Sequence, residues 1–190
     1  LHEATTGVIN ADFDALQEVE YINGGLYTAL NTAITPAGDS TVRDGIAWFQ
    51  VSASASSAGI QAAAVRAQGY IAAAGFYLMY PHVEVNHNGT LEMVFTYGGP
   101  SSYLGAAYAV ASSHKIQNNM GFGLYVAQPG LDPDNGFTDT PAYGGVGRWG
   151  DYSAGQLDPN SGNIWFATQY IPNAGDGAAN WGNFIFEVTG

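Results

Sequence analysis

Arg148, Asp151 and Tyr152 stand together in the run Arg148-Trp149-Gly150-Asp151-Tyr152-Ser153-Ala154, the best polar cluster of the chain for chemistry. They are the candidate catalytic residues. Arg148 could grip an anionic or hydroxyl-rich ligand while the Tyr152 ring stacks on it. The same residues would equally make a buried Arg–Asp pair tying neighbouring elements together. Glycoside hydrolysis needs two carboxylates about 5–5.5 Å or 6.5–9.5 Å apart, and Glu84, Glu92, Asp151 and Asp158 are available. Glu84 and Glu92 could share a groove, but solvent is the expected environment of both. Asp132, Asp134, Asn135 and Asp139 gather hard oxygen ligands on one loop, a candidate Ca²⁺ site without the spacing of an EF-hand. His2, His82, His87 and His114 show no zinc spacing; His82 and His87 flank one turn but lack a second close ligand pair. Ser153 lies in no nucleophile elbow. Among the aromatics, Tyr97, Tyr103, Tyr143 and Trp149 could stack on sugar rings. Tyr103 and Tyr143, beside Gly and Ser, are the expected surface pair, whereas Trp149 is expected to fill an interface between sheets. Asn88-Gly89-Thr90 is a formal glycosylation sequon, but a tight turn accounts for its Asn and Gly.

The elements that would position these groups read as strands. Asn23-Gly24 tolerates the positive φ of a hairpin turn and leads into Leu26 to Ile34, answered by Ile46 to Val51. His87-Asn88-Gly89 joins Pro81–Asn86 to Leu91–Tyr97, and Leu104–Ala111 returns. Asp158 to Gly162 turns into Ile164–Tyr170, answered by Trp181–Val188. The hairpins recur: Gly25, Gly89 and Gly162 lie roughly 64 and 73 residues apart. Further strands are expected at 65–71 and 122–127, and Ala15 to Tyr21 as a short strand burying Leu16, Val19 and Tyr21. Ser52 to Ala64, rich in Ala and Ser, reads as a loop. The third unit lacks its last strand, which Thr6 to Asn10 is expected to supply. The fold class implied is all-β: a β-propeller segment of about three four-stranded antiparallel blades, at 15–71, 80–127 and 148–190.

Composition narrows the function. Sixteen acids against four bases give a net charge of −12, a field that repels nucleic acid and anionic membranes. Charged residues are only 11% of the 190, and 26 glycines with 13% aromatics fit a turn-rich β fold. There is no cysteine, which is compatible with bacterial or archaeal secretion. No apolar run is long enough for a membrane span. Leucine stands first, so the chain is expected to begin after processing or to be a piece of something longer.

The Arg148–Ala154 run, followed by Leu157-Asp158-Pro159, Ile164-Trp165-Phe166-Ala167 and Asn180-Trp181-Gly182, resembles secreted bacterial sialidase-like β-propeller proteins near their C-terminal blades. Tyr80-Pro81 to Asn86, with Gly89, also fits, so the likeness runs from about residue 20 onward. Such proteins have six or seven blades. The resemblance therefore implies that this chain supplies only C-terminal blades, with the others coming from elsewhere or from another copy. It also implies an arginine triad, a tyrosine nucleophile with a glutamate partner, and an acid/base aspartate. Arg43, Arg66 and Arg148 are the only arginines, and they match no such triad. The expected function is an extracellular or cell-surface, non-catalytic binding or assembly module, with glycan as a candidate ligand. The alternative is part of a glycoside hydrolase completed by other blades.

Overall fold

A computed structural model of the chain describes residues 8–11, 14–117, 121–134, 146–173 and 180–189. The described residues are almost entirely β. The first sheet holds β2 (Glu20–Ile22), β3 (Gly25–Ile34), β4 (Arg43–Ser56) and β5 (Gly59–Ile71) in chain order. The second repeats that plan with β6 (Tyr77–Val85), β7 (Leu91–Gly99), β8 (Ser102–Ala111) and β9 (Gly123–Gln128). The third has three strands, β11 (Ala154–Leu157), β12 (Ile164–Tyr170) and β13 (Gly182–Val188). Every pairing within these sheets is antiparallel. A five-residue helix, α1 (Ser113–Gln117), lies between β8 and β9. No helix among the described residues is long and apolar enough to cross a membrane.

The sheets pack in sequence, first on second and second on third. Leu91, Met93 and Phe95 on one face of β7 meet Ala29, Ile46, Trp48 and Ile71 of the first sheet. Val94, on the other face, meets Ile164, Phe166 and Val188 of the third. With both faces covered, β7 is buried at every position, the polar Glu92 and Thr96 included.

Several local expectations change. Ser52 to Ala64 is not a loop: Ser56 pairs Gly59 and Ala53 pairs Ala63, so β4 and β5 form one long hairpin. Its small Ala and Ser side chains carry little apolar contrast, and that hides the two-residue strand period. Leu16, Val19 and Tyr21 are 52%, 50% and 65% exposed instead of buried. β2 begins only at Glu20, and Tyr21 pairs Leu26 on the face turned away from the second sheet. Finally, β1 (Val8–Asn10) does not complete the third sheet. It runs parallel to β10 (Val146–Arg148), outside the three larger sheets.

Candidate functional site

The site begins with a bulge. In β6 the register jumps from Met79↔Thr96 to His82↔Val94, so Tyr80 and Pro81 together oppose Phe95. Proline has no N–H to give a ladder, and a bulge is where a buried strand tolerates it. Tyr80 takes φ 54°, a left-handed conformation that a bulky residue adopts only when held there. Asn31 Oδ1 accepts from Tyr80 N at 2.9 Å, and Ser153 Oγ donates to Tyr80 O at 2.6 Å. One clamp comes from the first sheet and the other from the segment entering the third.

The bulge sets the facing of His82. The ring is 4% exposed and meets Phe166 of β12 edge-on, with centroids 6.4 Å apart. A Cβ on Gly155 of β11 would stand 2.7 Å from Cδ2 and Nε2 of the ring, so alanine there would displace it. Nδ1 abuts Glu18 Oε1, and Nε2 lies 3.7 Å from Glu84 Oε1. Neither nitrogen meets hydrogen-bond geometry with any partner. Glu20 brings a further carboxylate: one ligand atom each from Glu18, Glu20 and His82 lie within 4.8 Å of one another. The first strands of the sheets thus converge on one imidazole.

Electrostatics follow from the crowding. Burial opposes a charge on His82, but the Glu18 and Glu84 carboxylates outweigh it and raise its pKa to about 9. Burial, then the Glu84 and Glu18 charges, push the Glu20 carboxyl above its ordinary value, with His82 opposing. Glu92, opposite Glu84 in the register, is pushed up to about 7 by burial. A hydrogen bond from Asn86 Nδ2 at 2.9 Å offsets part of that, and Glu84 adds to it. Asn86 is itself fixed, because its Oδ1 accepts from the backbone N–H of Asn88 and Thr90 in the turn.

The residues singled out by sequence fare differently. Glu84 and Glu92 are buried, not solvated, because the second sheet is covered on both faces. Arg148 does pair with Asp151, donating from Nη2 to both carboxylate oxygens at 2.6 Å. The pair is not buried, however: the Arg148 side chain is 66% exposed and Asp151 34%. Tyr152 is exposed beside it. The rest of that run is packing. Trp149 is buried with Ile9, Met79, Tyr80, Leu104 and Ile171, and Gly150, at φ 69°, lies where a Cβ would strike the Tyr80 ring at 2.6 Å. Asp158 caps its own turn, accepting from Asn160 N and Ser161 Oγ. Tyr97 joins the core, and Tyr103 is half-buried. Asp132 is half-buried and Asp134 buried; Asn135, Asp139 and Tyr143 lie outside the described residues, as do His2 and Thr6. His87 sits exposed in its turn, away from the His82 ring nitrogens.

Sequence reasoning passed over Glu18 and Glu20 altogether and set His82 aside. The Tyr80-Pro81 step, awkward inside a strand, was the one local signal that something re-aims the chain there. Comparison with protein-family models, curated proteins and solved structures finds no match to this chain.

Proposed function

We propose that the chain is an extracellular, non-catalytic segment of a sialidase-like β-propeller that works as a binding and assembly module. One observation carries this reading. The inner strands β6–β8 of the middle sheet are covered on both sides, its outer strand β9 being exposed at Leu124, Tyr125 and Val126, while each flanking sheet leaves a face that no described sheet covers. On the first sheet that face holds Tyr21 and Tyr70, 65% and 73% exposed; on the third it holds Trp165 and Ile185, 46% and 66% exposed. Large apolar groups left in water on sheet faces mark interaction surfaces. The two faces lie at opposite ends of the stack, so copies joining head to tail repeat the sheet-on-sheet contact already made twice inside the chain. Two copies would hold about six sheets, within the four to eight of closed propellers.

The net charge of −12 suits solubility in a salty extracellular medium. The hydrolase reading has less behind it. Glu84 and Glu92 are buried against each other, and Asp151 already accepts twice from Arg148. Light scattering coupled to size exclusion tests the assembly. A mass near twice 19.9 kDa is expected, returning to a single chain in Ile185→Asp. A particle of one chain at every concentration sinks the proposal, and a glycan array run alongside reports any sugar bound by the same faces.

A further inference from the structure

We propose that Glu18, Glu20 and His82 bind one Zn²⁺ ion at the seam between the first and second sheets. This inference is independent of the assembly reading, since all three residues belong to one chain.

Geometry comes first. A tetrahedral zinc site with bonds of about 2.0–2.2 Å sets its ligand atoms roughly 3.3–3.6 Å apart. Here one nitrogen and two carboxylate oxygens already lie within 4.8 Å of one another. The Nδ1 edge of His82 faces Glu18. Small rotations of two half-buried glutamates would open that contact around an ion, and the ring itself need not move.

The state of the imidazole is the second observation. It is 4% exposed, and its contacts with Glu18 and Glu84 are ion pairs that fall outside hydrogen-bond geometry. Buried polar atoms in native proteins nearly always find a partner. A metal at Nδ1 would supply one, and Glu84, 3.7 Å from Nε2, stands where a carboxylate orients the free edge of a metal-binding histidine.

Charge points the same way. Glu18, Glu20 and Glu84 surround a single histidine. A protonated imidazole would cancel one of three negative charges, whereas Zn²⁺ beside a neutral imidazole cancels two. Ligand chemistry selects the metal. Ca²⁺ takes six to eight oxygens, while an imidazole nitrogen with carboxylates suits zinc. Glu18 and Glu20 are half-buried, so the ion can enter from their side. Three protein ligands leave a fourth position for water. Bound there, zinc would reinforce the Glu18–His82 ion pair that already joins the segment before β2 to β6.

The test uses the whole chain, stripped with EDTA and dialysed. Calorimetric titration with ZnCl₂ at about pH 7.5 should show one ion per chain. Melting in about 100 µM Zn²⁺ should raise Tm by about 4 °C or more, because a ligand that binds only the folded state stabilises it. Ca²⁺ at the same concentration should not compete. Glu20→Gln, on the solvent side, should weaken Zn²⁺ binding at least tenfold with an unchanged circular dichroism spectrum, and His82→Asn should abolish it. Should His82→Asn fail to fold, Glu20→Gln and Glu18→Gln still decide. No heat and no shift in Tm with Zn²⁺ overturns the site. So does a stoichiometric zinc whose affinity both glutamate variants leave unchanged, since that ion sits elsewhere.

Discussion

A tyrosine at φ 54° ahead of a proline would not hold that conformation alone; it keeps it here because Asn31 and Ser153 take up its N–H and C=O. Asn31 has a second task. Its Nδ2 donates to Asp44 Oδ2 at 3.1 Å, the link through which this clamp feels pH. Burial raises Asp44 to about 7; the Asn31 hydrogen bond opposes the rise and the Asp14 charge adds to it. Between about pH 4 and pH 7 the folded chain therefore keeps a proton that the unfolded chain has released. Stability is full below the unfolded pKa and is lost as pH rises through the folded one. Asp44→Asn keeps an acceptor for Asn31 and removes the titration. It should melt with the parent protein at about pH 4.5 and exceed it at about pH 7.5, by on the order of 1–2 kcal/mol for this partly buried group. Melting curves that stay parallel across that range would show that Asp44 ionises freely in the fold.

At the scale of elements, the β4–β5 hairpin departs from the rest of its sheet. β3 pairs β4 only as far as Gly25↔Ser52, whereas β4 and β5 continue together to Ser56↔Gly59. Beyond Ser52 the two strands have only each other, and β5 is exposed from Gly59 to Arg66. A two-stranded ribbon with no third strand, its Ile60 and Val65 left in water, adds little stability, and its open edges can pair with another chain. Cutting Ala53–Ala63 back to an Asn-Gly turn, flanked by the Ser52↔Ala64 pair, should move stability by no more than about 0.5 kcal/mol, read by urea denaturation. A loss of several kcal/mol would mean that the arm packs on the body.

The arm also shows what was legible in the sequence and what was not. Asn23-Gly24, Asn88-Gly89 and Ser161-Gly162 announce their hairpins because the turn chemistry is local. Leu91 to Tyr97 announces a strand through its large apolar residues, but Glu92 and Thr96 interrupt the run and hide that both faces are covered. Ser52 to Ala64 announces nothing, since alternating Ala and Ser are nearly alike to a hydrophobic pattern. The seam site was hidden for a different reason. Glu18 and Glu20 meet His82 only when one sheet stacks on the next, and the bulge at Tyr80-Pro81 then turns the histidine toward them. The Arg148–Ala154 run stood out because it is rich in large and charged groups. Most of it packs: Trp149 fills the core, Gly150 makes room for Tyr80, and Ser153 holds the Tyr80 carbonyl.

For the whole molecule, the apolar end faces and the net charge pull in opposite directions. Each copy carries −12, so two approaching copies repel over the range that salt leaves unscreened. Burying Tyr21, Tyr70, Trp165 and Ile185 against a neighbour favours association, at roughly 25 cal/mol per Å² of apolar surface, and that term does not depend on screening. Salt shortens the reach of the repulsion from about 14 Å near 50 mM to about 4 Å near 500 mM. Association of copies should therefore tighten as NaCl rises over that interval, the reverse of an assembly held by ion pairs between unlike patches. Sedimentation velocity at a fixed chain concentration measures it: the larger species should gain population with salt. A larger species that dissolves on adding salt would place the contact among opposite charges and take the exposed aromatic and aliphatic faces out of the interface.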